Sequence, residues 1–353
     1  MPKIIKLPGL IDPHVHLREP GATQKEDFTT GTKAAIAGGY TQVLDMPNNP
    51  VATITPEALK EKMDLAKGKI YCDVGFHFGA SSKGIEYFKE VADKVFGLKV
   101  YMNQTTGDLL MEDDETLEKV FSAWSKNKPL MVHAEGETLQ KAINLAKKFG
   151  NKLHVCHVSL KEEVEVIKAA KELGLGITCE VTCHHLFLTS EDAKRLGPFG
   201  IMKPPLASKE DQEALWEAIQ DGTIDMIASD HAPHTKEEKL GEKVPFGVPG
   251  LETTLPLLLT AVSEGRLTMD RLIELTSSSP RKIFGILEQE NTFVEVDLDS
   301  RYTITDKQLF TKCGWTPFAG MKVTGKVIKV VLRGKVVFDG QNISGPYGQV
   351  LKT

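Results

Sequence analysis

Two histidines stand one residue apart at the end of an apolar run near the start of the sequence. The run from Ile4 to Ile11 leads directly into His14 and His16. In a β-strand, residues i and i+2 point to the same face, so the two imidazoles would project together. Converging imidazoles are half of a site for a borderline metal ion such as zinc. A bare His-x-His also occurs in ordinary loops, so the rest of the chain has to decide.

Three further polar residues follow apolar stretches later in the chain and could complete such a site. His133 and His157 each close a short apolar run, and Asp230 follows Met226-Ile227-Ala228-Ser229. Taken singly, each histidine could be an ordinary hydrogen-bonding residue, and Asp230 could cap the turn after it. Four imidazoles and a carboxylate gathered in one place would pack poorly unless a cation lay among them. Together these residues predict a metal site.

Lys99 is unusual because it lies within an apolar stretch, residues 97–102, that is typical of a buried parallel strand. An unpaired ammonium is costly in such a place, so an ion-paired or partly exposed lysine is one interpretation. The other interpretation is covalent, since an uncharged amine can take up CO₂ to form a carbamate with two anionic oxygens. Such a group can bridge two metal ions, which together polarise a carbonyl and activate a water.

The elements that would position these residues alternate regularly between strands and helices. Strand patterns are predicted at residues 4–11, 40–46, 70–78, 96–102, 130–133, 153–158, 177–181 and 226–230. The helical patterns between them imply parallel strands joined by helical crossovers. Eight such units fit a closed (β/α)₈ TIM barrel over residues 7–287 better than an open doubly wound sheet, and no Gly-x-Gly-x-x-Gly follows the first strand. The carboxyl ends of barrel strands meet at one rim, where the candidate ligands would converge.

Beyond about Glu288 the pattern changes to strands with alternating polarity. Residues 293–298 and 326–332 alternate with period two, and Val336-Val337-Phe338 ends at a turn, Asp339-Gly340. Alternation of this kind is typical of half-buried strands. We therefore predict a small β-rich appendage formed by residues 288–353 together with the N-terminal residues 1–6.

Composition excludes several classes of partner. The 353 residues carry a net charge of -5, which gives no basic surface for nucleic acid. No apolar run approaches the roughly 20 residues that span a membrane, and the N-terminus lacks the apolar segment of a signal peptide. The five cysteines are too few, and odd in number, for a disulfide framework. We therefore expect a cytoplasmic protein without a nucleic-acid or membrane partner.

At these positions the sequence resembles the amidohydrolase superfamily. The matching motifs are Asp12-x-His14-x-His16-Leu17-Arg18, Lys99, His133, His157 and Ala228-Ser229-Asp230-His231-Ala232-Pro233-His234 followed by Lys239. The last of these motifs, with Met46-Pro47-Asn48, resembles the dihydroorotases in particular. Residues 249–253 and 315–318 are similar to the dihydroorotase domain of the animal multifunctional pyrimidine-synthesis protein. The resemblance covers essentially the whole chain.

The resemblance implies a role for each matching residue. One zinc would be held by His14, His16, carboxylated Lys99 and Asp230, and a second by Lys99, His133 and His157. Asp230 would also move a proton, first as base and then as acid. The substrate would be bound by Arg18, Asn48, His234, Thr105 and the backbone near Gly247. Cys156 and Glu180 match ligands of an additional zinc. The alternatives are a buried structural thiol for Cys156 and, for Glu180, a hydrogen-bond partner of a metal ligand or a salt bridge in the barrel interior.

The implied activity is the zinc-dependent, reversible interconversion of L-dihydroorotate and N-carbamoyl-L-aspartate in pyrimidine biosynthesis. The resemblance also suggests a homodimer and an association with aspartate transcarbamoylase. Two alternatives stay open: another ring-opening amidohydrolase, such as an allantoinase or hydantoinase, and a non-catalytic scaffold. Arg18, Asn48 and His234 favour an acidic substrate, because a guanidinium binds a carboxylate through two hydrogen bonds. The complete set of ligands favours an enzyme.

Two positions depart from the family pattern. Thr106 stands where the animal domain has an aromatic residue, in a segment that would cover the substrate. Lys203 stands where relatives commonly have asparagine or arginine. Among the remaining histidines, His231 is expected to be structural, and His77 and His154 are expected to contribute packing alone.

Overall fold

The chain folds around a barrel of eight parallel strands in the computed structural model, which describes residues 2–353. The strands are β1 (Ile4–Pro8), β2 (Leu10–Val15), β3 (Tyr40–Asp45), β4 (Asp73–Phe76), β5 (Phe78–Gly79), β6 (Leu98–Tyr101), β7 (Pro129–His133), β8 (Lys152–Val155), β9 (Ile177–Thr182), β10 (Met226–Ala228), β11 (Phe293–Thr303), β12 (Lys322–Leu332) and β13 (Lys335–Phe338). Strands β2 to β10 form the barrel, in which β4 and β5 are two parts of one strand interrupted at His77. A bridge between Val15 and His231 joins the first strand to the last. The predicted (β/α)₈ barrel is confirmed.

Helices connect successive barrel strands. They are α1 (Phe28–Ala37), α2 (Pro56–Ala66), α3 (Phe88–Val91), α4 (Asp114–Ala123), α5 (Glu137–Phe149), α6 (Lys161–Glu172), α7 (Cys183–Phe187), α8 (Ser190–Leu196), α9 (Lys209–Gln220), α10 (Lys236–Lys239), α11 (Leu251–Ser263), α12 (Met269–Ile273) and α13 (Ser279–Phe284). Between β5 and β6 the helical connection is only the short α3, which lies between two 3₁₀ turns. Thr55 caps α2 by accepting a hydrogen bond from the Ala58 amide, as its position before proline predicts.

An apolar cluster fills the barrel interior. Its buried members are Ile11, Leu44, Met46, Phe96, Met131, Cys156, Met226, Phe284 and Ile286. Phe284, at the end of α13, lies 5.6 Å from the ring of His77 and 5.4 Å from the ring of His154, measured between ring centroids. The barrel is therefore a packed core rather than a channel.

The β-rich appendage is a four-stranded antiparallel sheet in the order β1-β11-β12-β13. The apolar run from Ile4 to Ile11 is therefore divided between this sheet and the barrel. The division falls at Gly9, where a Cβ would lie 2.2 Å from Thr41 Oγ1. The boundaries at 6/7 and 287/288 stay predictions, and β1 crosses the first of them. Met1, which was predicted to belong to the appendage, lies outside the described residues.

A short segment between β11 and β12 is tethered to the barrel by two buried carboxylates. Glu252 accepts hydrogen bonds from the amides of Phe310 at 2.8 Å and Thr311 at 3.0 Å. Glu26 accepts one from the amide of Lys312 at 3.2 Å. Three residues farther along, Trp315 Nε1 donates to the backbone oxygen of His234 at 2.7 Å. The appendage thus reaches the barrel rim and supports a predicted substrate-binding residue.

Two general expectations can be compared with the described part of the chain. Within residues 2–353, no helix combines the length and the apolar character needed to cross a membrane. The five cysteines are all buried and unpaired, as expected for a protein without a disulfide framework.

Candidate metal centre and substrate pocket

The structure brings the predicted ligands together at the carboxyl end of the barrel. Asp230 Oδ1 lies 3.1 Å from His16 Nε2 and 3.3 Å from His14 Nε2. On the other side of His14, the rings of His157 and His133 follow, with 2.9 Å between His133 Nδ1 and His157 Nε2. These residues lie in β2 and β7 and in the segments that follow β2, β8 and β10, so distant parts of the sequence share one small space.

Three residues of this site have backbone angles that side chains other than glycine seldom adopt. Arg18, His157 and Asp230 have φ values of 62°, 37° and 44°. Each lies just beyond the end of a barrel strand, where the chain turns outward. Backbone strain of this kind costs about 1–3 kcal/mol per residue and is concentrated at functional sites. The fold tolerates this cost at the positions where the resemblance assigns chemistry.

Lys99 is fully buried at the floor of the pocket. Its Nζ donates to Cys156 Sγ at 2.9 Å and lies 5.3 Å from the centroid of the Tyr101 ring. Among residues 2–353, no carboxylate forms a salt bridge with this ammonium. A buried lysine without a counterion is unfavourable, and this favours the covalent interpretation over the ion-paired one.

The hydrogen bonds of the histidines fit a metal site. His14 Nδ1 faces Glu180 Oε1, and His16 Nδ1 donates to Asn48 Oδ1 at 2.8 Å. Metal-ligating histidines commonly donate one ring N–H to an oxygen and present the other nitrogen to the metal. In both rings the nitrogen left over, Nε2, points toward Asp230. The Nδ1 atom of His157 is buried and has no hydrogen-bond partner among the described residues, as expected of a ligand atom.

A second group of potential ligands lies directly behind the first. The ligand atoms of His14, Cys156 and Glu180 lie within 4.8 Å of one another. His154 Nε2 is 3.1 Å from the other carboxylate oxygen of Glu180, so the prediction that His154 contributes only packing is wrong. Burial opposes ionisation of Glu180, but the rings of His14 and His154 hold its pKa well below the usual range. Imidazole, thiolate and carboxylate are the ligands that zinc prefers.

The predicted substrate-binding residues line the same pocket or adjoin it. The pocket has an empty volume of about 370 Å³ and is lined by Arg18, Asn48, Thr105, Thr106, Lys203 and Gly247 together with the metal-site residues. Arg18 Nη2 lies 3.0 Å from His234 Nε2. Asn48 is committed to two neighbours, His16 and the backbone oxygen of Thr106 at 2.9 Å. To bind the substrate as predicted, the Asn48 side chain must therefore replace one of these hydrogen bonds with one to the substrate.

The sequence did not reveal Lys62, although it holds two chain segments of the pocket in place. Its Nζ lies 2.7 Å from Asp45 Oδ2, 2.7 Å from the backbone oxygen of Met46 and 2.8 Å from Asn49 Oδ1. Asp45 Oδ1 accepts from the Leu17 amide at 2.8 Å. The pair thus fixes the backbone beside Arg18 and Asn48. A lysine in an amphipathic helix usually faces solvent, so its sequence context carried no signal.

Replacing Lys62 with methionine is expected to lower the free energy of unfolding by about 3–5 kcal/mol, because Asp45 would keep a buried charge without a partner. Urea unfolding followed by circular dichroism measures this. Lys60→Met, on the same helix in an exposed pair with Asp64, is the matched control and should change stability little. Adding Asp45→Asn to Lys62→Met should recover part of the loss. Equal stability of the Lys62→Met and Lys60→Met proteins would contradict the assignment.

His154 could have been found from the sequence. It stands two residues before Cys156, so both side chains point into the barrel by the rule that pairs His14 with His16. His77, also expected only to pack, places its Nε2 3.0 Å from the backbone oxygen of Pro13 and so supports the segment that carries His14. His231 is structural as expected, because its Nδ1 accepts from the Gly250 amide at 3.2 Å.

Comparison with known proteins identifies the family. A sequence model of the amidohydrolase family matches residues 5–337. The chain is 49% identical over 352 residues to the multifunctional protein CAD of Squalus acanthias, covering 98% of this chain but only 16% of that protein's length. It is 38% identical to a dihydroorotase of Pyrococcus abyssi, covering 98% of this chain and 87% of that enzyme.

Solved structures agree with this family. An L-hydantoinase (dihydropyrimidinase) from Arthrobacter aurescens superposes with a TM-score of 0.94 at 28% identity, covering 100% of this chain and 89% of that one. An inactive dihydroorotase-like domain of a Chaetomium thermophilum CAD-like multifunctional protein superposes with a TM-score of 0.84 at 29% identity, covering 99% of both chains. The chain belongs to the amidohydrolase family and, by its sequence, to the dihydroorotases within it.

Proposed function

We propose that the chain is a dihydroorotase, which interconverts L-dihydroorotate and N-carbamoyl-L-aspartate in pyrimidine biosynthesis. The observation that carries the proposal is a set of zinc-type ligands beside a guanidinium and an imidazole that can bind a carboxylate. The dihydroorotase relatives support it, since the chain covers most of the length of the Pyrococcus enzyme. The ring amide to be opened and the carboxylate to be bound would lie in the same pocket.

The residues present fit two zinc ions. His14, His16, Asp230 and a carboxylated Lys99 would hold the first, and Lys99, His133 and His157 the second. The ammonium of Lys99 first loses one proton to solvent; the uncharged Nζ then forms a bond to the carbon of CO₂ and releases a second proton, so the buried cation becomes an anion. When bound, a pair of zinc ions lowers the pKa of a water and polarises a carbonyl. We also propose a third position at His14, Cys156 and Glu180.

The side chains around these ions divide the remaining work. Burial opposes ionisation of Asp230, but His14 and His16 hold its pKa well below the usual range, so the carboxylate can accept a proton at neutral pH. It would return that proton to the ring nitrogen as the amide opens. Arg18 and His234 would hold the substrate carboxylate. Thr105 and Thr106 would cover the substrate, where Thr106 Oγ1 already donates to the backbone oxygen of Phe246 at 3.3 Å.

The nearest alternative is a hydantoinase or allantoinase, because hydantoinase structures are close in fold. Hydantoin and allantoin lack the ring carboxylate, so Arg18 separates the two functions. We expect turnover of dihydroorotate with little activity on hydantoin or allantoin. Arg18→Met should raise KM for dihydroorotate about tenfold to a hundredfold, through loss of a charge-assisted bidentate contact.

Steady-state assays on the three substrates measure this preference. Arg195→Met, which removes an exposed arginine paired with Asp192, is the matched control. Activity on hydantoin or allantoin without activity on dihydroorotate would replace the proposal with the alternative.

The second alternative is a non-catalytic scaffold, as in the inactive Chaetomium domain. Every position that the resemblance assigns to metal carries a residue able to bind it, and this supports an enzyme. We further propose a homodimer and, from the likeness to the CAD protein, an association with aspartate transcarbamoylase. The cytoplasmic location stays a prediction.

A further inference from the structure

The contacts of His234 determine which of its two nitrogens carries the hydrogen. Nδ1 lies 3.1 Å from Lys25 Nζ. An ammonium group can only donate, so Nδ1 must present its lone pair at this distance. Burial, with the charges of Arg18, Lys25 and Lys239, holds the pKa of His234 well below its usual range, so the ring is neutral. Nε2 lies 2.9 Å from the backbone oxygen of Phe246, which can only accept, so the single hydrogen lies on Nε2 and the approach of Arg18 Nη2 to 3.0 Å is a contact between two donors.

Nε2 faces the side of the pocket where the substrate carboxylate is expected. It donates to the backbone oxygen of Phe246 at 2.9 Å, and Arg18 Nη2 lies 3.0 Å away. The guanidinium is itself a donor, so two donors converge on one place without being able to satisfy each other. A substrate carboxylate oxygen that replaced the Phe246 oxygen as acceptor would take the Nε2 hydrogen together with a hydrogen of the guanidinium. This pair is complementary to a carboxylate only while Nε2 carries the hydrogen.

Lys25 stabilises the form of His234 that carries its hydrogen on Nε2. Its ammonium lies 3.2 Å from Glu238 Oε1, and the other oxygen of Glu238 lies 3.5 Å from His234 Nδ1. Without Lys25, the nearest charged neighbour of Nδ1 would be a carboxylate, which attracts the ring hydrogen. The hydrogen would move to Nδ1, and the Nε2 lone pair would then face the substrate anion and repel it.

We propose that Lys25 is a positioning residue that holds His234 in the Nε2–H form, so that His234 and Arg18 donate together to the substrate carboxylate. The inference rests on the proposed function, because it requires a carboxylate on the substrate. Lys25 acts through His234 and is not among the residues that line the pocket. Its loss should therefore weaken binding of the substrate more than the chemical step.

Lys25→Met keeps the length of the side chain and removes the donor. KM for dihydroorotate is expected to rise about tenfold or more, the cost of one charge-assisted hydrogen bond. The change in kcat should stay within about threefold, because the lost interaction is made equally in the ground and transition states. Lys25→Arg restores a donor and should recover most of the loss. Lys236→Met removes a nearby exposed charge, paired with Asp306 at 3.5 Å, and should leave KM unchanged.

Nitrogen-15 NMR of protein with labelled histidine reports the hydrogen directly, with His234→Gln used to assign the signal. We expect Nε2–H in the wild type and in Lys25→Arg, and Nδ1–H in Lys25→Met. A wild-type ring with its hydrogen on Nδ1 would overturn the proposal. So would a Lys25→Met protein whose ring form is unchanged, whatever its KM, or one whose ring changes while KM does not.

The ring measurement needs no substrate, so it separates this inference from the proposed function. Absence of dihydroorotate turnover by the wild type would refute the function. The ring form in the wild type and in Lys25→Met would still decide whether Lys25 controls His234.

Discussion

Lys99→Ala is expected to abolish turnover and to remove the bound metal at the same time. The wild-type side chain is buried against Cys156 and has no counterion within residues 2–353, and its carbamate would supply oxygens to both proposed ions. Losing the metal pair removes several kcal/mol of transition-state stabilisation, so kcat/KM should fall by about 10⁴-fold or more. Elemental analysis of protein purified without added zinc, together with the dihydroorotate assay, measures both effects.

Lys128→Ala is the matched control, since Lys128 immediately precedes the opposite end of the neighbouring strand β7. It should retain zinc and activity. Short carboxylic acids should partly restore the Lys99→Ala protein by replacing the lost oxygens. A Lys99→Ala enzyme that stays active and gains nothing from such acids would contradict the bridging role.

The same zinc analysis on Cys156→Ser tests the third position, where one ion should be lost and two kept.

Asp230→Asn is expected to lower kcat by about 10²- to 10⁴-fold, because the amide keeps the shape of the carboxylate but cannot accept the proton. Asparagine also tolerates the left-handed backbone at this position, so strain should not confuse the result. The measurement is kcat at saturating dihydroorotate in excess zinc, with zinc content determined on the same sample.

An exposed aspartate provides the control for that substitution. Asp221→Asn, which disrupts a surface pair with Lys168, should leave kcat unchanged. Normal turnover by a zinc-loaded Asp230→Asn protein would show that another group carries the proton.

The barrel and the gathering of its rim residues could be predicted because both follow from local patterns. Strands and helices alternate along the chain, and parallel strands bring their carboxyl ends to one rim. His14, His133 and Asp230 could therefore be placed near one another before any contact was known. The appendage could be predicted in the same way, because its C-terminal strands alternate in polarity as half-buried strands do. The catalytic and binding roles of these residues stay predictions.

Contacts made across the fold could not be predicted from local patterns. The sequence predicts Lys62 to be a surface residue of a helix, and only the folded chain shows that Asp45 lies beside it. Lys25 lies in a loop and acts through His234, more than 200 positions later in the sequence. Asn48 was expected to face the substrate, yet its amide contacts His16 and the Thr106 backbone. A pattern of residue types does not say which partner each polar group will choose.

The tether between the appendage and the barrel would make the proposed turnover depend on residues 310–315, which are not among those that line the pocket. Glu26 and Glu252 hold residues 310–312, and Trp315 supports the backbone of His234. Local regions of a protein can open well below the temperature at which the whole fold melts. If the four-stranded sheet of the appendage opened first on warming, activity would be lost while the circular dichroism spectrum of the barrel stayed native. The temperature at which activity is lost would then report the local stability of the appendage rather than that of the barrel.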